Sequence, residues 1–407
     1  MVKGVQSHGI LYLIRKLDGI RFGMIGSCAA LAHARMFSTY SSTVLPILTH
    51  AGLRHSCLLN TAHLKAFVAA FDQYATTHGL LIALVKFDVK EFFTNILHRA
   101  LLDRVKFVFD KYAHANKTDR ISVPKYPKTD TTLKPLPGHP PREVAHRYFT
   151  FKLSDIYAVI KFALITSVFQ LGTVFLVQIV GLPMGNHFSP PLSLIYLAYD
   201  EHHMAPRIAR CISRFGPGAK LDMTRYADDG TILLAAKTRD QLHRIFNFVI
   251  IFMQACLYEH DIAIADRQLN IVPVLDTRKF LDADIVLYDG DRRIKIIYHN
   301  SNADSPTTNT QSIGRFFHPL SPSPRSTLLA GPTAIFIRIA DMTTFPLDTL
   351  LPIFQVIHEC NIIAHQPISM ILSTIHKAAR ARPNPIWDIV IVALHILKNK
   401  QRLKLTL

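Results

Sequence analysis

The sequence predicts an α+β fold, and three observations carry that prediction. Short apolar runs of strand length alternate with helix-period segments through residues 43–299. One pair of apolar runs is joined by a tight turn rich in acids, Asp228-Asp229-Gly230. The final stretch, 300–407, reads as mainly helical after a Ser/Asn/Thr/Pro-rich linker at 300–312.

Taken in order, residues 43–79 read as helix, with Leu58, Ala62, Leu64, Phe67, Val68 and Phe71 recurring at spacings of three and four. Residues 80–85 form a continuous apolar run suited to a buried strand. Helix returns over 97–112. Residues 113–147 carry Pro124, Pro127, Pro135, Pro137, Pro140 and Pro141 among lysines and threonines, the composition of an exposed insertion loop. Helix is expected over 153–170, then from Ser189-Pro190-Pro191 to about His203, with Ser189 as N-cap. Met223 to Ala235 reads as a hairpin closed by Asp-Asp-Gly, residues 239–260 as helix, and 279–298 as a second hairpin around Asp289-Gly290-Asp291.

Composition bounds the function. The chain has 407 residues, 49% hydrophobic and 18% charged, which excludes broad disorder and allows two or three lobes around a large core. Lys and Arg outnumber Asp and Glu by 46 to 29, giving +17. That surplus suits a phosphate-neutralising groove, an anionic membrane surface, or plain solubility. Cys28, Cys57, Cys211, Cys256 and Cys360 form no CxxC pair, so reduced, mostly buried thiols in an intracellular compartment are expected, with no zinc site. The run 162–180 has 19 residues and no charge, yet Gln170, Gly172 and Gln178 interrupt it; a buried helix followed by a buried strand is expected, and no membrane segment. Residues 1–42 are basic and acid-poor, and read either as a mitochondrial transit peptide or as a basic arm that contacts nucleic acid.

Three segments carry chemistry. In Phe87-Asp88-Val89-Lys90-Glu91-Phe92-Phe93, a buried strand ends on a carboxylate beside two aromatics, a setting for a hard divalent ion. In Gly181-Leu182-Pro183-Met184-Gly185-Asn186, two glycines around a proline let backbone pass close to a ligand. In Arg225-Tyr226-Ala227-Asp228-Asp229-Gly230, adjacent acids repel unless a cation lies between them.

In this order the three segments resemble motifs A, B and C of reverse transcriptases: Asp-Val-x-x-Phe-Phe, then Gly-x-Pro-x-Gly with Ser-Pro-x-Leu, then Tyr-x-Asp-Asp. The block 181–197 is close in spacing to group II intron and retron-type enzymes. Met184 departs from the glutamine usual there; with Gln178 before it and Phe280-Leu281-Asp282 after motif C, it is similar to Penelope-like elements. The reverse-transcriptase-like proteins of algal mitochondria are a further candidate for the resemblance. The resemblance covers roughly 80–290.

The resemblance implies a right-hand polymerase fold: fingers, a palm of antiparallel sheet plus helices, and a helical thumb. It implies a basic arm at 1–42, a fingers and palm domain at 43–299 with the insertion at 113–147, and a thumb at 300–407. Asp88, Asp228 and Asp229 would be catalytic and, with the Val89 carbonyl, would hold two Mg²⁺ ions, replaceable by Mn²⁺. The carboxylates of Asp88 and Asp228 would then lie roughly 4–7 Å apart. Phe93 would exclude a ribose 2′-OH, while Pro183, Met184, Gly185 and Asn186 line the nucleotide side. Tyr226, Ala227 and Gln178 would meet primer and template. The implied partners are an RNA template, a DNA or RNA primer and dNTPs, with no membrane; the oligomeric state stays open. Arg54, Lys65 and Lys86 are candidates for the triphosphate. Arg315, His318, Arg325 and Arg338, and the cluster His376, Lys377, Arg380 and Arg382, are candidates for duplex phosphates. Two other readings are an RNA-binding splicing (maturase-like) or structural factor that keeps the fold, and an RNA-directed RNA polymerase, against which the aromatic Phe93 argues.

Overall fold

The computed structural model describes residues 9–10, 12–16, 19–23, 34–58, 62–125, 132–171, 174–183, 186–257, 262–264, 276–280, 283–287, 294–298, 325–344, 346–363 and 365–405. In chain order the elements are β1 Gly9–Ile10, β2 Tyr12–Lys16, β3 Gly19–Gly23, α1 Ala34–Ser41, α2 Val44–His50, α3 Ala62–Thr77, β4 Leu81–Val89, α4 Phe92–Asn95, α5 His98–Asn116, β5 Arg120–Pro124, β6 Leu136–Pro137, β7 Tyr148–Lys152, α6 Leu153–Ile165, β8 Val168–Leu171, β9 Val174–Val177 and α7 Ser189–Ser213. Then follow β10 Lys220–Tyr226, β11 Asp229–Ala236, α8 Arg239–Phe252, β12 Ile262–Ile264, β13 Asp276–Phe280, β14 Ala283–Leu287, β15 Ile294–Tyr298, α9 Arg325–Met342, α10 Leu350–His358, α11 Ile368–Ala381 and α12 Ile386–Leu405. The chain forms two interleaved compact units: Met1–Cys57, Phe87–Arg214 and Asn247–Ile264 in the first, Leu58–Lys86, Phe215–Phe246 and Ala265–Leu407 in the second.

The first unit is built on α5 and α7. In α5, Leu101, Val105, Val108, Phe109 and Tyr112 are buried at spacings of three and four, so one face is apolar and packs on α2, α6 and α7. Each such side chain contributes about 1.5–3 kcal/mol by leaving water. Beside this bundle stands a sheet of order β6-β5-β7. It replaces the exposed loop expected at 113–147. Ile121, Ser122 and Val123 are buried, and Ser122 Oγ bonds the Gly138 carbonyl at 2.6 Å. The second unit has one core drawn from α3, β4, β11, β14, β15 and α9 to α12, with Phe71, Leu84, Leu233, Phe336, Ile371 and Trp387 among its members.

Several expected boundaries shift. The helix expected at 43–79 is two helices, parted at Gly52, whose φ of 67° is left-handed. The helix expected at 153–170 stops at Ile165 and gives way to the hairpin β8–β9. The strand expected to be buried there is exposed at Leu176, Val177, Ile179 and Val180. Helix α7 runs ten residues past His203, to Ser213, with Pro206 inside it. The hairpin at 279–298 forms as β14 and β15 and gains β13 as a third strand; its tip and the linker at 300–312 lie outside the described residues. Cys57 and Cys211 are half-buried and Cys360 is buried. Among the described residues, no helix is long and apolar enough to cross a membrane.

Tyr112 gives a pH signature. Its ring is fully buried and its hydroxyl donates to the Arg120 carbonyl at 3.1 Å. Burial pushes its pKa up to about 12. The unfolded chain releases this proton near pH 10 while the folded chain holds it, so stability is complete below pH 10 and falls as pH rises towards 12. Urea titrations across that window should show a loss of about 2–3 kcal/mol that Tyr112→Phe removes.

Candidate active site

In the first unit, the last residues of β4 pair with β12, with Asp88 opposite Ala263 and Val89 opposite Ile262. Phe87 and Val89 are buried, and Asp88, on the other face of the pleat, is half-exposed. Glu91 then takes a left-handed φ of 49° and turns the chain into α4. The turn splits the two aromatics. Phe92 is buried, its ring 6.1 Å from that of Tyr196, while Phe93 stays half-exposed, 5.4 Å from Phe92.

The glycine loop is fastened to that same turn. Gly181 N–H donates to the Ile96 carbonyl at 2.7 Å, and Leu182 N–H to the Phe93 carbonyl at 2.6 Å. His98 Nε2 donates to the Gly181 carbonyl at 2.7 Å. Gln178 is buried, and its Nε2 holds the Val180 carbonyl at 2.9 Å while its Oε1 has no hydrogen-bond partner. Past the loop, Asn186 Oδ1 accepts from Phe188 N–H, and Ser189 Oγ donates to the Pro183 carbonyl at 2.6 Å. Ser189 therefore ties the helix start back to Pro183, and the N-cap position falls to Phe188. Met184 and Gly185 lie outside the described residues.

In the second unit, β10 and β11 form the acidic hairpin, adjacent to the first part of β4. Tyr226 pairs with Asp229, so the turn is Ala227-Asp228 and both Asp229 and Gly230 already belong to β11. This corrects the expected Asp-Asp-Gly turn. Ala227 supplies the left-handed residue, with φ 54°. Arg225 is fully buried and its Nη1 donates to the Ala227 carbonyl at 2.9 Å, which holds the tip. Asp229 Oδ1 lies 3.6 Å from Lys86 Nζ, both about one-third exposed. Such a pair contributes about 0–1 kcal/mol to stability, but it shows a cation satisfying part of the acidic tip. Tyr226 is exposed.

The structure thus brings Phe93 together with Gly181, Leu182 and the Gln178 amide, and places Tyr226, Ala227, Asp228 and Asp229 on one hairpin. Among the described residues, no three His, Cys, Asp or Glu side chains are gathered closely enough to hold a metal ion. Of the basic candidates, Lys65 donates to the Thr343 carbonyl at 2.8 Å and Arg382 bonds Asp341 at 2.6 Å, so both serve the fold of the second unit. His376, Lys377 and Arg380 are exposed on α11, and Arg338 on α9; Arg315, His318 and the Arg325 side chain lie outside the described residues. Sequence reasoning missed His98 and the buried Arg225.

Known structures carry this architecture. The telomerase of Candida albicans, solved with the TWJ fragment of telomeric RNA, superposes with a TM-score of 0.52 at 12% identity, over 94% of this chain and 60% of that one. The apo telomerase of Candida tropicalis gives 0.50 at 14% identity, over 98% and 66%. In fold, the chain is similar to telomerase. The likeness is one of fold, and the chain spans less than two thirds of the length of either relative. No family model and no curated protein matches the sequence. The telomerase likeness supports the expected mixed helix-and-sheet architecture.

Proposed function

We propose that the chain is an RNA-directed DNA polymerase that extends a primer 3′-OH with dNTPs on an RNA template. The observation that carries this is the acidic pair at the tip of an apolar hairpin, Asp228 in its two-residue turn and Asp229 opening β11, in a fold similar to telomerase. In this reading the hairpin and β4 belong to the palm, α9 to α12 to the thumb, and 1–42 to a basic arm or a mitochondrial transit peptide.

The donor set is all carboxylate oxygen, which fits a hard ion such as Mg²⁺. Asp88, Asp228 and Asp229 would hold it, with the Val89 carbonyl beside them. When bound, Mg²⁺ would acidify the primer hydroxyl and neutralise the triphosphate. The remaining work falls to the chain itself. Phe93 presents its ring to the sugar, the loop 181–186 lines the nucleotide, and Tyr226 meets the primer end. Primer extension on an RNA template, with dNTPs and then rNTPs, tests the reading. The second reading, an RNA-binding splicing or structural factor, predicts RNA binding and no extension.

Sugar choice gives a sharper test. Phe93→Val should raise ribonucleotide incorporation relative to dNTPs by roughly 10- to 100-fold while extension survives. Phe92→Ala should instead cost about 3–5 kcal/mol of stability and leave sugar choice unchanged. An active Phe93→Val enzyme that still rejects rNTPs would refute the gate.

A further inference from the structure

In the first unit, α5 and the later half of α7 share a face that gathers rings and cations. The Phe107 ring of α5 lies 5.0 Å from Tyr199 and 4.9 Å from His203 of α7, and 5.9 Å from His202. Tyr199 and His203 are 4.2 Å apart, and His202 and His203 cross almost at right angles at 5.5 Å. Lys111 Nζ sits 5.5 Å over Phe107. Arg54 adjoins the cluster, its backbone N–H donating to His202 Nδ1 at 3.2 Å. Burial, then the positive charges of His203, Lys111 and Arg54, hold the His202 pKa below the ordinary histidine value.

The nearest acids of α7 are engaged within the fold. Asp200 takes Arg104 Nη1 at 2.8 Å, and buried Glu201 accepts Ser56 N–H at 2.8 Å. His203, Lys111 and Arg54 are exposed, and Phe107, Tyr199 and His202 are half-exposed. Like charges around a half-open ring cluster oppose one another, and an anion with a flat face relieves them. Single-stranded nucleic acid has both, a phosphate for the cations and a base for the rings. Helix α5 also exposes Asp103 and Asp110, so stacking should outweigh long-range attraction.

We propose that this α5–α7 face, with Arg54 beside it, is a binding site for a single-stranded polynucleotide, separate from the polymerase site. A base stacks on the exposed ring of His203 beside Phe107, and flanking phosphates meet Lys111 and Arg54.

The test uses the full chain carrying Asp228→Ala, so that loss of polymerase activity and loss of this site read out separately. Oligouridine and oligothymidine with photoactivatable thio-bases are cross-linked, the modified peptides mapped, and affinities measured by anisotropy. Cross-links to the peptides holding Phe107 or His203 are expected. His203→Ala should weaken binding about five-fold. Lys111→Glu should weaken it more than the control Lys161→Glu, which reverses an exposed lysine on α6. RNA and DNA oligomers should compete, and anionic phosphatidylserine vesicles should not. Cross-links confined elsewhere, equal losses in Lys111→Glu and Lys161→Glu, or displacement by the vesicles would each overturn the proposal. Melting curves establish that the variants fold, and His203→Ala, at an exposed position, keeps the test open should Lys111→Glu misfold.

Discussion

Asp228→Ala should abolish primer extension, lowering the rate on an RNA template by about 10³-fold or more, since a metal clamp on the transferring phosphoryl group supplies several kcal/mol. Asp228 is the second residue of a two-residue turn, so alanine fits without strain. It also sits beside Asp229, whose carboxylate already draws on Lys86. Removing one of two adjacent like charges relieves repulsion. The variant should therefore still melt cooperatively while losing activity. Thermal shifts with added Mg²⁺ or Mn²⁺, present in the wild type, should vanish. A well-folded Asp228→Ala protein that extends primers at the wild-type rate would remove the polymerase reading.

The acidic hairpin was legible because two apolar runs flank the acids, yet its turn was placed one step late. The expected turn was Asp228-Asp229-Gly230, whereas Ala227 takes the left-handed position and buried Arg225 holds its carbonyl. No local pattern encodes that grip. The split between buried Phe92 and half-exposed Phe93 follows from the short helix α4, where neighbours are turned about 100° apart. The uncharged run 162–180 was not readable, because periodicity cannot separate a buried helix from short strands. Its helix ends where Thr166 Oγ1 bonds back to the Phe162 carbonyl, and β-branched and aromatic residues take over as β8 and β9. Prolines at 113–147 hid β5, whose partner β7 pairs Arg120 with Lys152. The attachment of His98 to Gly181 spans 83 residues and leaves no trace in either segment.

That attachment sets the second large effect, Gly181→Ala. Gly181 has a φ of 85°, and a Cβ there would lie 2.7 Å from the Phe93 carbonyl oxygen and 2.8 Å from that of Thr94. Both obstacles are backbone. The α4 turn is fixed by Thr94 and Asn95 N–H bonds to the Glu91 carbonyl, so the carbonyls cannot swing aside without unwinding it. The loop cannot withdraw either without breaking the Gly181–Ile96, Leu182–Phe93 and His98–Gly181 bonds. Positive φ alone costs a non-glycine residue about 1–3 kcal/mol. Gly52→Ala isolates that term, because Gly52 has a φ of 67° and nothing within 4 Å of its Cβ position. Gly181→Ala should cost more than Gly52→Ala in urea midpoint. It should also raise the KM for dNTPs, because displacing the Phe93 backbone moves the ring proposed to meet the sugar. Gly52→Ala should leave KM unchanged. Equal costs for the two glycines, with KM unaltered in both, would mean that the loop is not fastened to the turn and that Phe93 is not positioned by it.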